Sequence, residues 1–146
     1  VERLGKDEYF MMMAEFAAQR STCMNRSVGA VLVRDGMVIS TGYNGAPKRM
    51  KHCDEVGCIR ARMNIPSGER LDLCRGAHAE ANAVVQAAYL GVSTQGSTMY
   101  CTLLPCPMCA CLIINCGVKR LVYKKEYNET LGLTMLKDAG VDVKRI

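Results

Sequence analysis

The chain has 146 residues, 49% of them apolar and 23% charged, with a formal net charge of +5. That length makes one domain, residues 1–146, with a core that needs no disulfide staples, and no apolar run approaches the ~20 residues that cross a bilayer. The positive charge is mild and scattered in small groups such as Lys48, Arg49 and Lys51, which argues against a nucleic-acid face and leaves a small phosphorylated metabolite as the simpler partner.

Asp7 and Glu8 interrupt the start and no apolar core follows a basic stretch, so nothing reads as a secretory leader and a cytoplasmic setting is expected. Nine cysteines, an odd number, then point to metal before disulfides. Residues 7–20 place Phe10, Met13, Ala14 and Ala17 at helical spacing and predict an amphipathic helix. Residues 28–34 and 37–43 are β-branched runs flanking Asp35-Gly36, a strong hairpin signal. From 44 to 76 periodicity fails, and a cysteine-rich loop insertion of that length needs something to hold it. Residues 78–90 predict a buried, alanine-rich helix with Ala81, Val84, Val85 and Ala88 on one face and Gly91 as its stop.

A strand at 98–103 and a helix at 107–116, opened by Pro107 and closed by Gly117, follow. A strand at 120–123, a helix capped by Asn128 and running to 138, and a short strand at 141–143 complete the chain. A helix between the last two strands makes them parallel. The expected fold is a three-layer α/β/α domain, a mixed five-stranded sheet with helices on both faces.

Two short motifs carry the chemistry. His78-Ala79-Glu80 opens one predicted helix and Pro105-Cys106-Pro107-Met108-Cys109 opens another. One imidazole and two thiolates make a catalytic zinc set, with the fourth corner of the tetrahedron left for water, and His78, Cys106 and Cys109 supply it. Cys106 and Cys109, three apart, share a helix face, whereas Cys111 points elsewhere. Glu80 is left over to carry a proton between water and a leaving group. Each motif alone is common, since Cys-x-x-Cys also serves structural zinc and redox sites. Jointly they match the signature of zinc deaminases that hydrolyse a ring amine.

Over nearly its whole length the chain resembles the deoxycytidylate (dCMP) deaminases of the zinc-dependent cytidine/deoxycytidylate deaminase superfamily. The resemblance is carried by Ser21-Thr22-Cys23, Val28-Gly29-Ala30, Thr41-Gly42-Tyr43-Asn44-Gly45-Ala46-Pro47, His78 to Ala83, Pro105 to Cys109 and Gly117 to Tyr123. It implies the cytidine-deaminase-like fold and a hydrolase acting on C–N bonds of cyclic amidines, converting dCMP to dUMP and ammonia and so supplying dUMP for dTMP synthesis. It also implies that Asn44 bonds the deoxyribose 3′-hydroxyl, that the Ala79 N–H meets the pyrimidine carbonyl, and that the Leu104 carbonyl meets the leaving amine. A homo-oligomer, a hexamer activated by dCTP with Mg2+ and inhibited by dTTP, is implied as well. Two other readings stand beside it. A tRNA adenosine deaminase shares the zinc motif but calls for a strongly basic C-terminal helix, and a zinc-stabilised interaction module without catalysis would have no use for Glu80.

Cys23, Cys53, Cys58 and Cys74 remain, and four thiolates make a closed structural zinc that would tie the end of the first helix to the long loop. The resemblance supports a second zinc at the positions matching Cys23 and Cys53, and His52 is the alternative ligand. Cys101, Cys111 and Cys116 read as small buried apolar residues. For the 5′-phosphate the candidates are Arg26, Lys48 and Arg75, and residues 65–70 read as a lid or a plain connection. Tyr123 and Tyr127 follow a strand at the ligand-binding end of an α/β sheet, so either can wall the deoxyribose, and Tyr123 fits the core equally well.

Overall fold

The computed structural model of this chain describes residues 2–146. Strands β1 (Gly29–Arg34) and β2 (Met37–Tyr43) form the expected antiparallel hairpin, and its turn residues Asp35 and Gly36 both take positive φ, 53° and 74°. With β3 (Thr98–Leu103), β4 (Arg120–Lys125) and β5 (Asp142–Arg145) they make one mixed sheet in the order β2-β1-β3-β4-β5. β1 runs antiparallel to β2 and β3, while β3, β4 and β5 run parallel.

The helices are α1 (Lys6–Ala18), α2 (Cys53–Val56), α3 (Ile59–Arg62), α4 (Ala79–Leu90), α5 (Pro107–Asn115) and α6 (Leu131–Asp138). Alternation along the strands divides the core in two. Val31, Val33, Tyr100 and Val122 meet Phe10, Met11 and Ala14 of α1 on one face, and Leu32, Met99, Cys101 and Leu121 meet Ala83, Ile113 and Leu136 of α4, α5 and α6 on the other. The three layers are those expected. Among the described residues no helix is long and apolar enough to cross a membrane.

Two helix faces differ from expectation. A Cβ on Gly42 would lie 2.1 Å from the Ala79 carbonyl oxygen, and one on Gly29 would lie 1.9 Å from that of Ala14. α4 and α1 therefore sit almost against the strand backbone, where little beyond a methyl group fits between them. Ala79, Ala83 and Ala87 face the sheet, while Val85 on the expected face is 60% exposed. On α1 the buried face is Phe10, Met11, Ala14 and Ala18, rotated from the one through Met13 and Ala17.

Other boundaries move as well. α6 begins at Leu131, not after Asn128, because the Glu129 carboxylate accepts the Leu131 N–H at 2.8 Å. Val141 joins the core, so the last strand is 142–145. The segment 44–76 holds α2, α3 and a 3-10 turn at Leu71–Leu73, pieces too short to show a period. Cys101 is buried as expected, Cys116 is half-buried, and Cys111 is exposed on the outer side of α5.

An unforeseen ion cluster ties α1 to the sheet. Asp7 accepts from Arg120 Nη1 and Nη2, each at 2.8 Å, from Tyr100 Oη at 2.8 Å and from Lys144 Nζ at 2.9 Å, so one carboxylate holds β3, β4 and β5. The Arg120 guanidinium, reinforced by Lys144 and Tyr100, keeps the Asp7 carboxyl well below the usual range. Burial and Asp7 push Tyr100 up to about 12.

A depressed carboxylate stabilises the fold above its unfolded pKa, about 3.9, and loses that contribution as pH falls. Asp7→Asn is expected to cost about 2–3 kcal/mol at pH 7, since hydrogen bonds to charged groups contribute roughly 1.5–3 kcal/mol. The cost should shrink below about pH 4. Urea unfolding at pH 7 and pH 3 measures it, and an undiminished cost at pH 3 would contradict the assignment.

Candidate active site

Two helices begin at the same point. His78 is the N-cap of α4 and Cys106 that of α5, both in extended conformation, and neither side chain caps its own helix. They face each other instead. Pro107 fills the first position of α5, where a missing N–H costs nothing, and Cys109 follows on the first turn. His78 Nδ1 lies 3.4 Å from Cys106 Sγ and 3.3 Å from Cys109 Sγ. All three ligand atoms lie within 4.8 Å of one another, the one such group of His, Cys, Asp and Glu among the described residues. Nitrogen and sulfur on a tetrahedral zinc, at 2.0–2.1 and 2.3 Å, stand about 3.6 Å apart, so the residues fit that ion with little movement.

Protons at this centre are shared. The bond to Cys106 raises the His78 pKa against the effect of burial. Hydrogen bonds from Cys109 and His78 pull the Cys106 thiol down, and the bond to Cys106, with burial, pushes Cys109 up. A dication displaces such protons, and the positive ends of α4 and α5 favour the thiolates. Glu80, on the first turn of α4, is 4% exposed, and burial pushes its carboxyl up. That bias suits a group that must hold and release a proton.

The entry to α4 is stapled to the end of β2. Gly45 and Ala77 exchange both backbone hydrogen bonds, at 3.2 and 2.8 Å. Asn44 Oδ1 accepts the Val28 N–H at 2.9 Å and its Nδ2 donates to the Arg26 carbonyl at 2.8 Å, so the carboxamide is fixed. A cleft of about 810 Å³, counting its open mouth, results. His78, Glu80, Cys106, Asn44, Ala79 and Leu104 all lie on its wall. Among the described residues the Ala79 N–H has no acceptor and the Leu104 carbonyl no donor.

Several expected residues lie elsewhere. Tyr123 is 5% exposed in the core with its hydroxyl 3.4 Å from Glu126 Oε1, and Tyr127 is the tyrosine on the cleft. Lys48 stacks over the Tyr89 ring and Arg75 donates to the Lys51 carbonyl, both off the cleft. Arg26 does line it. So does Arg60, which sequence reasoning passed over, because a single arginine in an irregular segment carries no pattern. Cys23, Cys53 and Cys74 reach the same wall. Burial and then the charges of Cys58, Cys74 and Cys23 raise the Cys53 thiol, although no three of these sulfurs lie within 4.8 Å of one another. His52 Nδ1 accepts the Ala46 N–H at 3.2 Å and lies 2.8 Å from Thr22 Oγ1, which puts its proton on Nε2.

Residues 4–125 match the family described as the cytidine and deoxycytidylate deaminase zinc-binding region. The chain is 42% identical over 140 residues to a deoxycytidylate deaminase of Schizosaccharomyces pombe and 40% identical over 140 residues to that of Saccharomyces cerevisiae. Each alignment covers 95% of this chain, which spans 43% and 44% of those relatives, under half of their length. A crystal structure of the dCMP deaminase from the cyanophage S-TIM5, in complex with dCMP and dUMP, is similar with a TM-score of 0.84 and 31% identity, covering 100% of both chains.

Cys106→Ser is expected to remove one zinc per chain and to weaken retention more than about 100-fold, since even outer partners of a metal ligand cost 10–100-fold. Cys111→Ser, the same change on the exposed side of α5, should leave zinc content at the wild-type value. Equal zinc loss in both variants after gel filtration would remove Cys106 from the ligand set.

Proposed function

This chain belongs to the cytidine and deoxycytidylate deaminase family, and from that premise we propose that it hydrolyses dCMP to dUMP and ammonia. One observation carries the reading, the convergence of His78 Nδ1, Cys106 Sγ and Cys109 Sγ at a cleft whose wall bears His78, Cys106 and the buried carboxyl of Glu80. His78, Cys106 and Cys109 hold Zn2+, whose Lewis acidity makes water a nucleophile at neutral pH. Glu80 takes the proton that water gives up as oxygen joins C4 of the ring. It delivers that proton to N3, then takes the remaining proton of the new C4 hydroxyl and passes it to N4, so that the C4–N4 bond breaks, the C4 carbonyl forms and NH3 leaves.

The other wall residues divide the substrate among them. The unpartnered Ala79 N–H suits the pyrimidine carbonyl and the free Leu104 carbonyl suits the amine. Asn44, held by Val28 and Arg26, keeps one N–H and one lone pair for a deoxyribose hydroxyl. Of the two tyrosines that could wall the deoxyribose, Tyr127 is the one that lines the cleft.

The proposal extends to a second zinc on Cys23, Cys53, Cys58 and Cys74, supported by four free thiols close enough to raise the Cys53 pKa. Binding there would draw the sulfurs together. A homo-oligomer is supported by Tyr9, Met12 and Phe16, which leave α1 with an apolar outer face, Phe16 80% exposed. The hexameric order and the response to dCTP with Mg2+ and to dTTP rest on the resemblance alone. Nine free cysteines support a reducing, cytoplasmic setting.

A deamination panel of dCMP, cytidine, dCTP and a tRNA anticodon stem tests the reading. Turnover of dCMP is expected, and ammonia release from the tRNA alone would overturn it in favour of the adenosine reading. Glu80→Gln should keep its zinc and lose roughly 10²–10⁴-fold in turnover, so a variant with near-normal activity would end the proton-carrier role.

A further inference from the structure

A nucleotide needs a receptor for its phosphate, and Arg60 is built like one. It stands on α3 and is 9% exposed. A permanently charged group so deeply buried normally faces an anion. Arg60 faces none, since among the described residues no carboxylate forms an ion pair with it. Its partners are two backbone carbonyls, Glu69 at 3.0 Å from Nε and Pro66 at 3.3 Å from Nη2. A guanidinium has five N–H donors, so Nη1 and one hydrogen of Nη2 remain unspent.

Those donors belong to a group on the cleft wall. Arg60 shares that wall with Tyr127, where its charge also acts. Arg26 joins it from the other side, donating to Ser67 Oγ at 2.6 Å and lying 4.9 Å over the Tyr127 ring. The turn between Pro66 and Glu69 is thus gripped at both ends by Arg60 and in the middle by Arg26. Gly68 in this turn has φ +86°, and a Cβ there would stand 3.3 Å from the Tyr127 hydroxyl. Glu80 is the one carboxylate on the wall. Two guanidinium groups, neither paired with an acid, match a phosphate monoester dianion.

We propose that Arg60, with Arg26 and the Ser67 hydroxyl, receives the 5′-phosphate and makes this chain select a nucleotide over its nucleoside. The inference rests on the nucleotide reading above. Its test is kcat/KM for dCMP and for deoxycytidine with zinc-loaded wild type, Arg60→Gln, Arg60→Lys and, as a control off the cleft, Lys48→Gln. Arg60→Gln should lose about 10–100-fold on dCMP, the scale of hydrogen bonds to a charged group, and less than about threefold on deoxycytidine, which lacks that group. Arg60→Lys, which keeps the charge without the planar fork, should fall between, and Lys48→Gln should match the wild type. A parallel fall on both substrates would make Arg60 a clasp for the 66–69 turn and overturn the proposal, as would an unchanged ratio. If the wild type leaves dCMP intact, the proposed function fails by itself. Arg60 is then judged by inorganic phosphate, which should raise the Tm of the wild type and of Arg60→Lys but not of Arg60→Gln, and an equal rise in all three would overturn the assignment.

Discussion

Two helix N-termini have to meet within one hydrogen-bond length, and most of the molecule is arranged so that they can. α4 reaches the meeting point because Gly42 lets its backbone rest on β2, and α5 reaches it because β3 runs straight into Pro105 and Cys106. The meeting has a cost. His78 and Cys106 occupy N-cap positions without capping, and a missing cap typically forfeits about 1 kcal/mol. Metal binding offsets that loss, which couples zinc affinity to the stability of both helices. The Gly45–Ala77 bridge and the Asn44 carboxamide fix the remaining approach, that of the loop in front of α4.

Acidic and basic groups share the cleft that results. Glu80 lies buried beside the three ligand atoms, and burial pushes its carboxyl up, toward holding a proton. Arg26, Arg60 and Tyr127 share the same wall, where Glu80 is the one carboxylate among the described residues. The 66–69 turn is held by both guanidinium groups, so the irregular segment 44–76 contributes to the cleft wall where it contributes little core.

Much of this was legible in the residues, and the pattern of misses is physical. The chemistry was readable because metal ligation and helix capping impose residue types at fixed spacing, as in His78 to Glu80 and Cys106 to Cys109. The hairpin and the parallel pair β4 and β5 followed from Asp35-Gly36 and from the helix between the strands. The face of α4 was not readable, because hydropathy ranks valine above alanine while contact at Gly42 admits the smaller side chain. α2 and α3 are four residues each, shorter than two turns, and leave no period. Arg60 and Asp7 were missed for a shared reason, since each matters through partners that folding brings from elsewhere. Tyr127 displaced Tyr123 because the end of β4 turns one ring into the core and leaves the other on the cleft.

The most direct measurement is a crystal structure of the zinc-loaded chain with dUMP. The account expects the metal on His78 Nδ1, Cys106 Sγ and Cys109 Sγ, the pyrimidine C4 edge within hydrogen-bond reach of Glu80, and the phosphate against Arg60. A metal held by other residues, or a pyrimidine bound with C4 turned away from Glu80, would contradict it.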